Sequence, residues 1–203
     1  MNNILDKSHD DIKDNIVLQD ITFSYGGPAL FNHYSISFKA GQMTAIMSPS
    51  GSGKTTLLYI IAELLHTNEG QVIYPVEKPR FSMVFQDCRL IEHISVRSNI
   101  KMVNPDISDS DIEECLKELK LNGYMHKKAR HLSGGEKQRA AIARALLAPY
   151  DILLMDEPFT GLDDEVKELV IKYIKNRTAG KTVLLVTHDK SEADAMGCQV
   201  ISL

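Results

Sequence analysis

Residues 48–56 read SPSGSGKTT and lie between a short apolar stretch and a helix-forming one. That setting suits phosphate. Gly51 and Gly53 let backbone N–H groups turn inward without a Cβ in the way, forming a concave anion nest that includes Ser50 and Ser52. Lys54 can reach the outer phosphates of a triphosphate, the Thr55 hydroxyl can ligate Mg2+, and Thr56 can touch the innermost phosphate. Ser48 stands where the pattern G-x-x-x-x-G-K-S/T has glycine. If that position needs a positive φ, serine costs about 1–2 kcal/mol there. In an extended backbone the cost is near zero.

A second stretch, DILLMDEP over 151–158, puts Asp156 and Glu157 at the end of a buried strand. In an open parallel sheet the carboxyl ends of the strands face the ligand crevice, so both acids should lie beside the phosphate loop. Asp156 is placed to hold Mg2+. Glu157 is placed to orient and deprotonate an attacking water.

The third stretch is LSGGEKQR over 132–139. Ser133, Gly134 and Gly135 present a hydroxyl and amides at the start of a helix, where the helix dipole favours negative charge. Taken alone this is a helix cap. Following a phosphate loop and preceding the DEP strand, it resembles the signature sequence of the ABC ATPases, and the resemblance runs from about Ile16 to the carboxyl terminus. It implies a P-loop ATPase of the ABC type that binds ATP and Mg2+ and hydrolyses ATP. It also implies roles for single residues. Tyr25 would stack on adenine, Gln86 would sense Mg2+ and the attacking water, and His188 would contact the γ-phosphate. Residues 160–163 (TGLD) match the loop that crosses the dimer interface. In the family two subunits meet head to tail, so Ser133, Gly134 and Gly135 of one cover the triphosphate held by Lys54 of the other.

The segment 86–99 (QDCRLIEHISVRSN) resembles importers of the nitrate, sulfonate and thiamine-precursor type. There it helps form a groove for a cytoplasmic helix of the membrane subunit. Cys88, Leu90 and Ile91 are anchors either of that groove or of the core. The partners implied are a second ATPase subunit, identical or paralogous, integral membrane permease subunits and an external substrate-binding protein. The location implied is cytoplasmic, on the inner face of the cell membrane. The chain ends at Leu203 without the carboxyl-terminal extension of many importer subunits, so no regulatory domain is expected. The alternative is an ABC-type ATPase that regulates or assembles a protein complex without transport.

These residues need strands and helices in a fixed order. Alternation and β-branched content predict strands over 16–25 and 34–38, and β-rich stretches over 71–74 and 81–85. Residues 44–47, 152–155, 182–187 and 199–203 read as further strands, and 54–65, 95–121, 136–147, 164–177 and 190–196 as helical. Ser95 and Ser108 are expected caps. The alternation of strands and helices predicts a largely parallel sheet covered on both faces, with an antiparallel β layer and a helical insertion over about 87–145. All of it fits one domain over residues 1–203.

Composition sets the outer bounds. The chain has 203 residues, 43% hydrophobic and 25% charged, enough to bury a core. A net charge of −4 gives no reason to expect a nucleic-acid partner. Cys88, Cys115 and Cys198 are three and widely spaced, which reads as free thiols rather than a metal or disulfide framework. The polar amino-terminal residues lack an apolar signal core. The longest apolar run, Leu57 to Leu65, is too short to cross a membrane.

Overall fold

The computed structural model describes residues 14–203, and the polar amino-terminal stretch read above lies outside them over residues 1–13. Three strands, β1 (Asn15–Phe23), β2 (Phe31–Lys39) and β4 (Glu69–Ile73), form an antiparallel sheet in the order β2-β1-β4. Five others form a parallel sheet in the order β5-β6-β7-β3-β8. These are β3 (Met43–Ile46), β5 (Phe81–Val84), β6 (Ile152–Asp156), β7 (Thr182–Val186) and β8 (Gln199–Ile201). The two β-rich stretches over 71–74 and 81–85 thus belong to different sheets.

Strands β6 and β7 are buried along their whole length. Each is apolar at nearly every position because both faces are covered. Leu153, Met155, Val183 and Leu185 join one core with helices α2 (Val96–Lys101), α3 (Asp109–Glu118), α4 (Gly134–Leu147) and α5 (Asp164–Arg177). Ile152, Leu154, Leu184 and Val186 join another with α1 (Lys54–Ile61) and the antiparallel sheet. A last helix, α6 (Lys190–Met196), precedes β8. Among the described residues no helix is long and apolar enough to cross a membrane.

Three helices differ from expectation. Helix α1 stops at Ile61 rather than Leu65, because Glu63 adopts a left-handed φ of 58°. The Glu63 and Leu64 N–H groups then bond back to Ile60 O and Tyr59 O, closing a Schellman turn without glycine. The helical stretch 95–121 is two helices separated by Pro105, and Ser95 and Ser108 cap them as expected, each accepting an N–H three residues on. Helix α4 begins two residues early, at Gly134. Ser133 accepts the Glu136 N–H and Glu136 returns a bond to the Ser133 N–H, completing a capping box. Ala148 is extended ahead of Pro149 and ends that helix. At the amino-terminal side, β1 ends at Phe23 and leaves Tyr25 in the following loop.

Candidate functional site

The chain leaves β3 at the carboxyl edge of the parallel sheet and winds through residues 47–53 into α1. Gly51 and Gly53 have φ of 82° and 95°. Gly53 is required twice, since a Cβ there would lie 2.9 Å from the Phe31 ring. Ser48 does not adopt a positive φ, so the strain considered for it is not incurred. Its hydroxyl accepts the Leu203 N–H at 2.8 Å and donates to Met47 O at 2.6 Å, tying the loop to the residues after β8. Lys54 Nζ folds onto the loop's own carbonyls, 2.7 Å from Ser48 O and 2.9 Å from Pro49 O.

A cleft of about 810 Å³ opens over this loop, and its walls include Tyr25, Ser50, Gly51, Gly53, Lys54, Thr55, Thr56, Gln86, Asp156 and Glu157. The Tyr25 ring is 68% exposed and stands edge-on to Phe23, while its hydroxyl meets Thr56 Oγ1 at 3.0 Å. The Thr55 hydroxyl donates to Asp156 Oδ2 at 2.7 Å. Asp156 Oδ1 and Ser52 Oγ are buried and have no hydrogen-bond partner among the described residues. Burial raises the Asp156 carboxyl above its ordinary value. A buried carboxylate oxygen left over beside a hydroxyl and an amide oxygen suits a hard divalent cation such as Mg2+, so Thr55, Gln86 and Asp156 fit that ion.

Strands β6 and β7 end side by side, with Asp156 opposite Val186. Their extensions bring Glu157 Oε2 and His188 Nδ1 within 2.8 Å. Glu157 has a φ of 48°, and its N–H bonds to Val186 O. A left-handed glutamate costs about 1–3 kcal/mol and persists only where its surroundings hold it. The Glu157 side chain is 16% exposed and that of His188 76%, so the carboxylate is sheltered and the imidazole faces out.

Ser133, Gly134 and Gly135 do not line the cleft. A Cβ at Gly134 would meet nothing within 4 Å, whereas one at Gly135 would come 3.0 Å from Gly161 O. The start of α4 therefore sits against the 160–163 loop, outside the cleft over the phosphate loop.

Sequence reasoning missed the connections between these parts. Gln138, buried in α4, donates from Nε2 to Pro158 O at 2.8 Å and accepts the Cys88 thiol on Oε1 at 2.7 Å. Cys88 and Arg89 both have positive φ, and Arg144 of α4 donates to both their carbonyls, at 3.0 and 2.6 Å. Leu90 packs on the helical-side core, and the Ile91 N–H bonds to Asn99 Oδ1. Arg144, a lone charge within the apolar run 140–147 of α4, was an available signal, whereas Gln138 lies among the polar neighbours Lys137 and Arg139 and nothing local marked it.

A parallel sheet carrying a phosphate loop, paired acids and a signature-type helix start defines a P-loop nucleotide triphosphatase of the ABC cassette type. A family profile described as ABC transporter matches residues 31–160. The chain belongs to that family, as an ATP-binding ATPase domain. It is 35% identical to the thiamine import ATP-binding protein ThiQ of Vibrio parahaemolyticus, over 89% of this chain and 83% of the relative. It is 33% identical to the spermidine/putrescine import ATP-binding protein PotA of Mycoplasma capricolum, over 91% of this chain but only 57% of the relative. Among solved structures, one chain of a dimeric bacterial ABC transporter cassette superposes with a TM-score of 0.82 at 31% identity, covering 93% of this chain and 94% of that one.

Proposed function

We propose that this ATPase powers an importer: two copies, or this chain and a paralogue, close head to tail on MgATP and drive a separate membrane permease from its cytoplasmic face. An external substrate-binding protein would deliver the cargo. The relatives' import functions support this reading. The observation that carries the dimer is the separation of the two anion cradles, since Ser133 to Gly135 lie outside the cleft that holds Lys54. One chain cannot bring both onto a single triphosphate.

In this reading Tyr25 stacks on the base, and Ser50 to Thr56 wrap the phosphates with amides, hydroxyls and the Lys54 ammonium. Lys54 exchanges the carbonyls of Ser48 and Pro49 for phosphate oxygens. Thr55, Gln86 and Asp156 would hold Mg2+, which would offset charge on the outer phosphates. Glu157 takes a proton from the attacking water, and His188, hydrogen-bonded to it, orients both the base and the γ-phosphate. Product formation removes the ligand that bridged the two subunits, and the dimer opens. The helical insertion over about 87–145 would pass that motion to the permease.

The test is Glu157→Gln with MgATP. Phosphate release should fall by about 10²-fold or more, while light scattering shows an ATP-dependent dimer. Normal hydrolysis, or a monomer at saturating ATP, rejects the reading. Recovery of a multi-span permease with the chain from membranes supports import, and a purely soluble complex supports the assembly alternative.

A further inference from the structure

The residues flanking His188 are anchored from outside the cleft. Thr187 is fully buried; its hydroxyl donates to Glu192 Oε2 at 2.5 Å and accepts the Asp189 N–H at 3.1 Å. Asp189 caps α6 by accepting the Ser191 N–H at 2.8 Å. Glu192, in the first turn of that helix, is only 9% exposed. A buried carboxylate needs a charge partner, and Lys167 supplies it from α5. Its Nζ lies 3.7 Å from Glu192 Oε1, 3.9 Å from Asp189 Oδ2 and 3.5 Å from Asp164 Oδ1. Helix α5 begins at the end of the 160–163 loop, where Asp163 caps it through the Val166 N–H. One ammonium thus joins the start of α5 to the turn that carries His188.

We propose that Lys167 and Glu192 are positioning residues for hydrolysis: their ion pair locks the 187–189 turn to the start of α5, so His188 meets Glu157 only when the 160–163 loop is correctly seated. The proposal rests on Glu157 as the base and on the 160–163 loop as a dimer contact. Without the ammonium, Glu192 is left buried and unpaired, and the charge-assisted bond from Thr187 weakens. The turn then loosens, while the phosphate loop, which follows β3 and is tied to Leu203 rather than to this ion pair, keeps its own anchors. Chemistry is impaired and nucleotide binding is not.

The test uses the whole chain with MgATP. Lys167→Met keeps the aliphatic stem, and Glu192→Gln keeps the shape. Each should lower kcat about tenfold, since small misplacements of reacting groups cost at least that much, with KM for ATP near the parent's. Lys167→Met should also melt lower, because it leaves the Glu192 charge buried and unpaired, whereas Glu192→Gln removes that charge and should melt near the parent. Lys167→Arg, which keeps a cation within reach, should recover most of kcat. The double variant should be no worse than either single one, because the two residues act as a unit. Unchanged kcat in both single variants overturns the proposal, as does a loss matched by an equal rise in KM or, in Glu192→Gln, one accompanied by a fall in thermal midpoint. A fault in the underlying reading shows separately, as normal hydrolysis by Glu157→Gln.

Discussion

The Thr55 hydroxyl donates a 2.7 Å hydrogen bond to Asp156 Oδ2, while Oδ1 of the same carboxylate is buried with no partner among the described residues. That half-satisfied acid is poorly placed for stability and well placed for a cation. Burial raises its carboxyl, so its contribution to stability is present below the unfolded value and is lost as pH rises through the folded one. As rising pH ionises the group, its burial works increasingly against the ligand-free fold. Asp156→Asn should therefore melt above the parent at pH 7 without Mg2+ or ATP, and the gap should close near pH 4, the ordinary range of aspartate. MgATP hydrolysis should fall by about 10²-fold, because metal-based charge stabilisation is worth several kcal/mol. Thermal melts across pH, paired with phosphate release, decide it; a lower melt at neutral pH would contradict the account.

The two signature glycines should respond differently to alanine. A Cβ at Gly134 meets open space, whereas one at Gly135 presses on Gly161 O at 3.0 Å. Gly134→Ala should leave the monomer's thermal midpoint and ATP binding intact. It should still weaken ATP-driven dimerisation and hydrolysis by about tenfold or more, if that empty space receives a mate's triphosphate and sub-ångström placement matters. Gly135→Ala should in addition lower the monomer's own melt. Sedimentation with and without ATP separates the two effects. Undiminished dimerisation of Gly134→Ala would place the triphosphate elsewhere.

Ser48 is expected to be structural rather than a weakness of the nucleotide site. Its side chain links the loop to Leu203, and a single net hydrogen bond of this kind contributes about 0.5–1.5 kcal/mol. Ser48→Ala should lower the thermal midpoint accordingly. Ser48→Gly should do the same and bring no gain in ATP affinity, because the serine does not occupy a left-handed backbone. Tighter ATP binding by Ser48→Gly, measured by calorimetry, would show that the serine does hinder the ligand.

The pair Arg80 and Asp151 ties the starts of β5 and β6 together at 3.0 Å. Hydrogen bonds from the Arg80 side chain and backbone hold the Asp151 carboxyl down at about 2. A lowered carboxylate contributes stability that is present above the unfolded value and is lost as pH falls through the folded one. Arg80→Ala should thus be less stable than the parent at neutral pH, modestly because the pair is largely exposed. The difference should shrink between pH 4 and pH 2. Melts of both proteins over that range give the answer, and a difference independent of pH would reject the ion pair as its source.

Legibility followed the distance over which each feature is determined. Local chemistry was readable: the glycines of the phosphate loop, the serine caps at Ser95 and Ser108, and the unbroken apolar runs of β6 and β7. The end of α1 was not, because its closing turn uses Glu63 in a conformation usually left to glycine. The break between α2 and α3 was signalled by Pro105 yet was submerged in a long helical pattern. Roles at the site were read from motif order, but their linkage was not. Lys167 and Glu192 are 25 residues apart (192 − 167) and meet only because α5 and α6 pack together. The same holds for Ser48 and Leu203, joined across 155 residues.

Both hydrogen-bonding ends of the Gln138 amide are in use, one on the turn after Gln86 and one on Pro158 beyond the acid pair. Helix α4 cannot swivel on the sheet like a free paddle without snapping one of these bonds. Any tug on the helical insertion is therefore felt at once by the glutamine strand end and by the glutamate strand end. A push arriving from outside the molecule is thereby shared between the ends of β5 and β6, where Gln86 and Glu157 stand.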